Sequence, residues 1–269
     1  MKPLRPLFFF TALIFLIGLA CSAITGGPEP TQAPPPTQPV QVIPTDTPPQ
    51  PTEVPATEEP PTQAPAPIEP PTEAPSGEAQ AFFVEEFDAN YNPDNWQYFT
   101  LGTGEEDNLV IEQQDDYMLF DLGDEDLYVY FMYAAYTYDD VSLRLNAENR
   151  GRNNNNVSLV CRMNEEGTQW YEFSVESGGV WYLYAVDNGK YNIMANGGTN
   201  ALKQGREVNQ YQLDCGGDEI TMYVNDQKLQ TFQDRRYLFD EGFVGFNISS
   251  LNVLPITVEV NWFEIAQPE

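Results

Sequence analysis

Gln169-Trp170-Tyr171-Glu172-Phe173-Ser174-Val175 and Val180-Trp181-Tyr182-Leu183-Tyr184-Ala185-Val186, closed by Asp187-Asn188-Gly189, decide the fold of this chain. In each run aromatic and β-branched residues fall into two interleaved sets, the pattern of a strand whose faces differ. Asn-Gly after the second run is hairpin chemistry, because both residues tolerate the left-handed backbone of a tight turn. Working outward, alternation recurs at Asn156–Met163, Tyr211–Cys215, Ile220–Val224, Phe243–Ile248 and Ile256–Ile265. Asn196-Gly197-Gly198, Cys215-Gly216-Gly217 and Asn225-Asp226 supply further turn signals. Short alternating runs punctuated in this way predict an antiparallel sandwich or barrel. The expected class is all-β.

Alternation also sorts the side chains. Tyr171, Phe173 and Val175 share one face with the apolar pattern of a core, and Trp170, Glu172 and Ser174 share the other. On the next run Tyr182 and Tyr184 oppose Trp181 and Leu183, and Arg162 belongs to the outward set of its own strand. Aromatic rings beside polar groups suit sugars, whose C–H faces stack while their hydroxyls take hydrogen bonds. Arg162, Trp170, Glu172, Tyr182 and Tyr184 are therefore the candidate ligand-binding residues. Cys161 shares its strand face with Val157 and Leu159, and Cys215 with Tyr211 and Leu213, so both point into the interior. A disulfide fits an oxidising compartment, and two buried thiols are the alternative.

The chain opens differently. Lys2 and Arg5 precede the apolar run Leu7–Ala20, which ends Gly18-Leu19-Ala20-Cys21. Fourteen residues are too few for a bilayer span, which takes about 20. A basic flank, a short apolar core and a small residue before the break read as an export signal. The Cys after Ala20 resembles the lipobox of bacterial lipoproteins, with Gly18 where that family prefers Leu. The resemblance implies that Cys21 is acylated, giving a protein tethered to a membrane and facing the cell exterior. Eighteen of the 23 prolines lie between residues 22 and 80, and Pro-Thr-Glu/Gln-X-Pro units start at Pro51, Pro61 and Pro71. A segment so poor in large apolar residues cannot offset its ordering entropy. It reads as a stalk, at most about 180 Å long if extended at about 3.1 Å per residue. The organisation is thus 1–20 signal peptide, 21–80 linker and 81–269 folded domain.

Composition removes several functions. The chain has no histidine, which excludes Ser-His-Asp and Cys-His catalysis and His-bearing zinc sites. No phosphate-binding glycine fingerprint occurs, so no nucleotide is expected. Of 41 acidic residues eight precede residue 81, and of 12 basic residues two do, which leaves the domain at −23. Such a charge repels nucleic acid and anionic lipid, so the membrane contact expected is the anchor alone. Asp121, Asp124, Glu125 and Asp126 cluster in an expected hairpin tip, and hard oxygen ligands suit Ca²⁺. Asp121, Asp124 and Asp126 are the candidate metal residues. Asp115-Asp116 and Asp139-Asp140 read as turn acids, and Asn153–Asn156 as an exposed loop.

Phe87-Asp88 with Trp96, Leu159-Val160-Cys161-Arg162, Trp170-Tyr171-Glu172-Phe173, Asn209–Cys215 with Gly216-Gly217-Asp218, Met222–Asn225, Phe243–Phe246 and Val260–Phe263 resemble, in order and spacing, the concanavalin A-like lectin/glucanase superfamily. The likeness spans 81–269 and extends to laminin G-like and 3-keto-disaccharide hydrolase-type domains. It implies a two-sheet antiparallel jelly roll, and a carbohydrate or cell-envelope component as partner. Relatives often carry Asp in the last strand, where this chain has Asn261. The retaining glucanases of the superfamily carry E-x-D-x-E on one strand, whereas here Ser174 stands between Glu172 and Glu176. Glu259 and Glu264 are expected on opposite faces of the last strand. The reading is a lipid-anchored, non-catalytic binding module. A glycoside-cleaving enzyme and a structural or protein-docking domain are the alternatives.

Overall fold

The structure, a computed structural model, describes residues 79–268. The signal-peptide, Cys21 and proline-rich stalk readings lie outside the described residues. Among the described residues there are fifteen strands, two short 3₁₀ turns and no α-helix. The first strands are β1 (Phe83–Glu85), β2 (Trp96–Gly102), β3 (Leu109–Gln113), β4 (Met118–Leu122) and β5 (Leu127–Tyr138). The middle five are β6 (Val141–Asn149), β7 (Asn155–Met163), β8 (Gln169–Glu176), β9 (Val180–Asp187) and β10 (Lys190–Gly198). The last are β11 (Val208–Gly216), β12 (Glu219–Val224), β13 (Gln227–Gln233), β14 (Gly242–Ser250) and β15 (Ile256–Ala266).

One sheet runs β13-β12-β11-β6-β15-β4-β3, with β1 also paired to β15, and the other runs β10-β9-β8-β7-β14-β5-β2. All pairings are antiparallel, and the expected two-sheet sandwich is what forms. Phe120, Phe131, Phe246 and Phe263, from β4, β5, β14 and β15, meet between the sheets with ring centroids 5.5–5.6 Å apart. Trp96 stacks on Phe131 at 5.0 Å. Tyr171, Phe173, Val175, Trp181 and Leu183 join this core, as alternation requires. The chain enters through three hydroxyls of β5, Tyr133, Tyr136 and Tyr138, which donate to the carbonyls of Gln80, Ala79 and Ala81.

Cys161 on β7 and Cys215 on β11 are joined by a disulfide that staples one sheet to the other. Arg162 reinforces the staple. Its φ of 56° turns the side chain out of the strand's alternation. Its guanidinium donates to the carbonyls of Asp139 (2.8 Å), Gly217 (2.8 Å) and Phe239 (3.0 Å), with Asp140 at 3.5 Å. Asp140 also accepts from the backbone of Gly217 at 2.7 Å, so this acid does more than close a turn.

Local sequence misleads at three places. Asn196-Gly197-Gly198 is not a turn but the end of β10. Gly197 lies against the Trp181 indole, where a Cβ would come within 2.7 Å of the ring, so glycine serves packing there. Asn153–Asn156 is not a wholly exposed loop, because Asn155 and Asn156 open β7 and Asn155 is buried. Glu259 and Glu264 are on the same face. The register of β15 slips between Val260 and Trp262, which shifts the parity of the strand. The two carboxylates pair outward with Arg150 (2.8 Å) and Arg144 (3.3 Å). Asn261, at the bulge, donates to Asn146 at 2.7 Å.

The disulfide closes a sequence separation of 54 residues. Replacing both cysteines by alanine is expected to lower the unfolding free energy by about 4 kcal/mol, the loop-closure value for such a span. Urea denaturation of the two proteins, followed by tryptophan fluorescence, measures the difference.

Candidate functional site

The outer face of the seven-stranded sheet is built in rows, each crossing the strands in register. One row is Phe99, Tyr130, Asn247, Ser158, Ser174, Tyr182 and Asn196. To one side lies Met132, Gly245, Val160, Glu172 and Tyr184. To the other lies Leu101, Tyr128, Ser249, Asn156 and Glu176. Alternation on each strand therefore produces a second organised surface, separate from the core between the sheets.

Its two halves differ in chemistry. Tyr130, Met132, Val160, Met163, Trp170 and Val186 form a buried apolar cluster, with Phe99, Tyr128, Tyr184 and Phe243 packed against it. The other half is polar: Asn156, Ser158, Ser174, Asn247 and Ser249 make a floor on β7, β8 and β14. Ser158, Asn247 and Ser249 are at most 1 % exposed. The side-chain oxygens of Asn156, Ser158 and Ser249, and both amide atoms of Asn247, have no hydrogen-bond partner among the described residues. Buried polar atoms are nearly always paired, so a cluster of unanswered ones on one surface needs a reason. Half-buried Tyr128 stands on one side of this floor, and half-buried Tyr182 on the other.

The boundary between the halves is a hydrogen-bonded wall. Tyr130 donates to Oε2 of Glu172 at 2.8 Å, and Trp170 Nε1 donates to the same oxygen at 3.0 Å. The Tyr130 and Tyr191 hydroxyls are 2.5 Å apart. With Glu172 ionised, Tyr130 donates its hydrogen bond to the carboxylate and accepts one from Tyr191. Tyr130 is on β5 and Tyr191 on β10, about five strand spacings of 4.8 Å along the sheet. Their contact requires the sheet to curl across its strands into a gutter. Phe99 of β2 lies flat on Tyr130, centroids 4.9 Å apart, and carries the wall to the last strand.

Burial raises the pKa of Glu172, and the hydrogen bonds from Trp170 and Tyr130 offset this only in part. The Ser158 hydroxyl stands near enough to lower it further without meeting hydrogen-bond geometry. Burial likewise raises Tyr130, Tyr184 and Tyr191, the charge of Glu172 adding to it, so these phenols stay protonated donors.

The structure places the expected site residues unequally. Trp170, Glu172, Tyr182 and Tyr184 share the outer face, and the rings of Tyr182 and Tyr184 stack at 5.5 Å. Trp170 is no exposed platform: it is 1 % exposed and edge-on to Tyr130 and Tyr191. Arg162 does not join them, because its left-handed backbone directs it to the Gly217 turn. There it lines a pocket of about 340 Å³ with Asp139, Asp140, Asp218 and Asp240. Tyr171 donates to Asp234 beside it. Burial disfavours the charge of Asp234, but that bond and the N–H groups of Arg236, Leu238 and Tyr237 outweigh it and lower its pKa.

Asp121, Asp124 and Asp126 are not brought together. Asp121 accepts from Thr257 (3.3 Å), Asp124 from the backbone of Glu105 (2.9 Å), and Asp126 from the Thr103 hydroxyl (2.7 Å). Among the described residues no group of three or more His, Cys, Asp or Glu is placed to hold a metal ion. The residues that sequence reasoning missed are Tyr128, Tyr130, Asn156, Tyr191, Asn247 and Ser249. The alternating tyrosines of Tyr128-Val129-Tyr130-Phe131 were the available signal. Asn247 and Ser249 have the spacing of an ordinary wet face and carried none.

Comparison with solved structures places the fold in a known class, the concanavalin A-like or galectin-like β-sandwich. The β-glucanase of Bacillus licheniformis superposes with a TM-score of 0.52 at 17% identity, covering 71% of this chain and 100% of that one. A Bacillus subtilis protein of unknown function with a galectin-like fold gives 0.54 at 12%, covering 71% and 97%. A family 16 endo-glucanase of Bacteroides ovatus gives 0.53 at 10%, covering 68% and 99%. At these identities the likeness is one of fold. No family model matches the chain, and no curated protein matches it in sequence.

The raised pKa of Glu172 makes a test of the wall. A carboxyl whose pKa is higher folded than unfolded contributes stability below its unfolded value, near pH 4.3, and loses it as pH rises through the folded value. Glu172→Gln keeps an acceptor oxygen and removes the charge. The melting temperature of the variant is therefore expected to match wild type near pH 4 and to exceed it at pH 7. Paired thermal scans across that range check it.

Proposed function

We propose that this domain is a carbohydrate-recognition module, held on the cell exterior by acylated Cys21 and the proline-rich stalk, and that it binds without cleaving. The observation that carries the reading is the polar floor of Asn156, Ser158, Asn247 and Ser249, unanswered among the described residues and flanked by tyrosines. Hydroxyl-rich ligands supply both donors and acceptors, as the amide of Asn247 requires. The rows around the floor contain Glu172 and Glu176 and no Lys or Arg, so they favour neutral sugars over acidic ones. The related fold of the Bacillus licheniformis β-glucanase makes polysaccharide the first ligand class to try.

Glycoside cleavage is the second reading, favoured by Glu172 and Glu176 on one face and by the raised pKa of Glu172, a property of general acids. Two features weigh against it. Ser174 replaces the middle carboxylate of the glucanase triplet, and Glu172 Oε2 already takes two hydrogen bonds.

Retention on a panel of immobilised neutral and acidic polysaccharides, with calcium and with chelator, tests binding. One neutral class is expected to be retained without release of reducing ends. Release of reducing ends that ceases in Glu172→Gln decides for the enzyme. Asn247→Leu is expected to weaken retention at least tenfold, about 1.4 kcal/mol, without loss of thermal stability. Removing an unpaired buried polar group is neutral or stabilising. A destabilised Asn247→Leu protein with unchanged retention overturns the reading.

A further inference from the structure

We infer that the polar trough takes the end of a glycan chain rather than a segment from its middle. This rests on the carbohydrate reading above. A gutter that binds internal segments must be open at both ends, because the polymer continues past the site in both directions. Here the wall of Phe99, Tyr130, Glu172 and Tyr191 crosses all seven strands, from β2 at one edge to β10 at the other. Behind it Met132, Met163, Trp170 and Val186 fill the remaining gutter with the protein's own apolar side chains. The opposite end is different. There the floor runs out past half-buried Glu176 to Leu101 and Val180, each 37% exposed. The trough is thus closed at Glu172 and open at Glu176.

The closed end is also chemically finished. Glu172 Oε2 is taken by Tyr130 and Trp170, and Tyr130 accepts from Tyr191. A terminal sugar abuts this wall between half-buried Tyr128 and Tyr182, and the rest of the chain leaves over Glu176. Tyr191 is the removable part of the wall. It sits on an edge strand and is 38% exposed, so its loss does not excavate the core.

The test uses the intact protein and size-graded series of three neutral linear glycans: a (1,3)-β-glucan, a (1,4)-β-mannan and a (1,4)-β-xylan. Titration calorimetry reads the number of protein molecules bound per chain. One per chain, independent of length, is expected for the series that binds. Oligosaccharides of that series bearing a bulky aminobenzamide at the reducing end, or capped at the non-reducing end, identify the terminus held. One of the two modifications is expected to abolish binding, and Tyr191→Ala to recover part of it, the modifying group taking the space that the ring leaves. A bound number that rises with chain length, or equal binding of both modified forms, overturns the inference and leaves carbohydrate recognition standing. No binding to any of the three series by wild type, with none on the wider panel, removes the carbohydrate reading and this inference together.

Discussion

Burying the Glu172 carboxylate in an aromatic cluster costs more than a single hydrogen bond returns. The protein offsets part of that cost with two donors on one oxygen, Trp170 from the same strand and Tyr130 from three strands away. The second donor has a geometric consequence. A hydroxyl on β5 reaches a carboxylate on β8 only where the sheet curls across β14 and β7. Once it has curled, Tyr191 of β10 comes within reach of Tyr130 from the far side. The wall and the apolar fill behind it both follow from this contact. The inner face of the same strands adapts through the aromatic packing of Trp96, Phe131 and Phe246, which tolerates tilted as well as stacked rings.

Much of this was legible in the sequence because strand parity is a hard constraint. Side chains two apart share a face, so the sets Tyr171/Phe173/Val175 and Trp170/Glu172/Ser174 separate without further information. The same rule placed Cys161 and Cys215 in the interior, where they are bonded. The turns at Asn188-Gly189 and Asn225-Asp226 were legible for the same kind of reason, both pairs having positive φ. What parity does not convey is whether the second face is wet. Trp170 looked like a platform for a ligand because an outward tryptophan normally meets solvent. It is covered by Tyr130 and Tyr191, residues 40 positions before it and 21 after, on strands that the sequence does not place opposite β8.

Parity also fails wherever the backbone spends an extra residue or turns left-handed. The bulge in β15 brings Glu259 and Glu264 to one face, and the φ of Arg162 sends a residue assigned to the ligand surface into the inter-sheet staple. Gly197 shows the converse. Glycine is read as a signal for a turn, but it is equally the residue that lets a ring lie on the backbone, and only the position of Trp181 decides between the two. The acids at 121, 124 and 126 are close in sequence and far apart in role, each spent on a separate loop contact.

Among the described residues the polar floor is the largest group of unpaired buried atoms, and folding alone does not account for it. Asn247 and Ser249 lie on a strand whose alternate residues Val244, Phe246 and Ile248 are fully buried, and leucine or valine at 247 and 249 would satisfy the same strand at less cost. Elsewhere buried polar groups are mostly paired: Asp234 takes four donors and Arg162 meets three carbonyls, while the side-chain oxygens of Asn149 and Asn155 are two further unpaired atoms among the described residues. Leaving five side-chain atoms unanswered on neighbouring strands sacrifices stability at a defined place. Sites that bind a polar ligand carry that signature, since groups already satisfied within the chain have nothing left to offer a guest. On the proposed reading the wall then decides how a guest lies, because a trough closed by its own hydrogen bonds offers a polymer an end to fit and no way through.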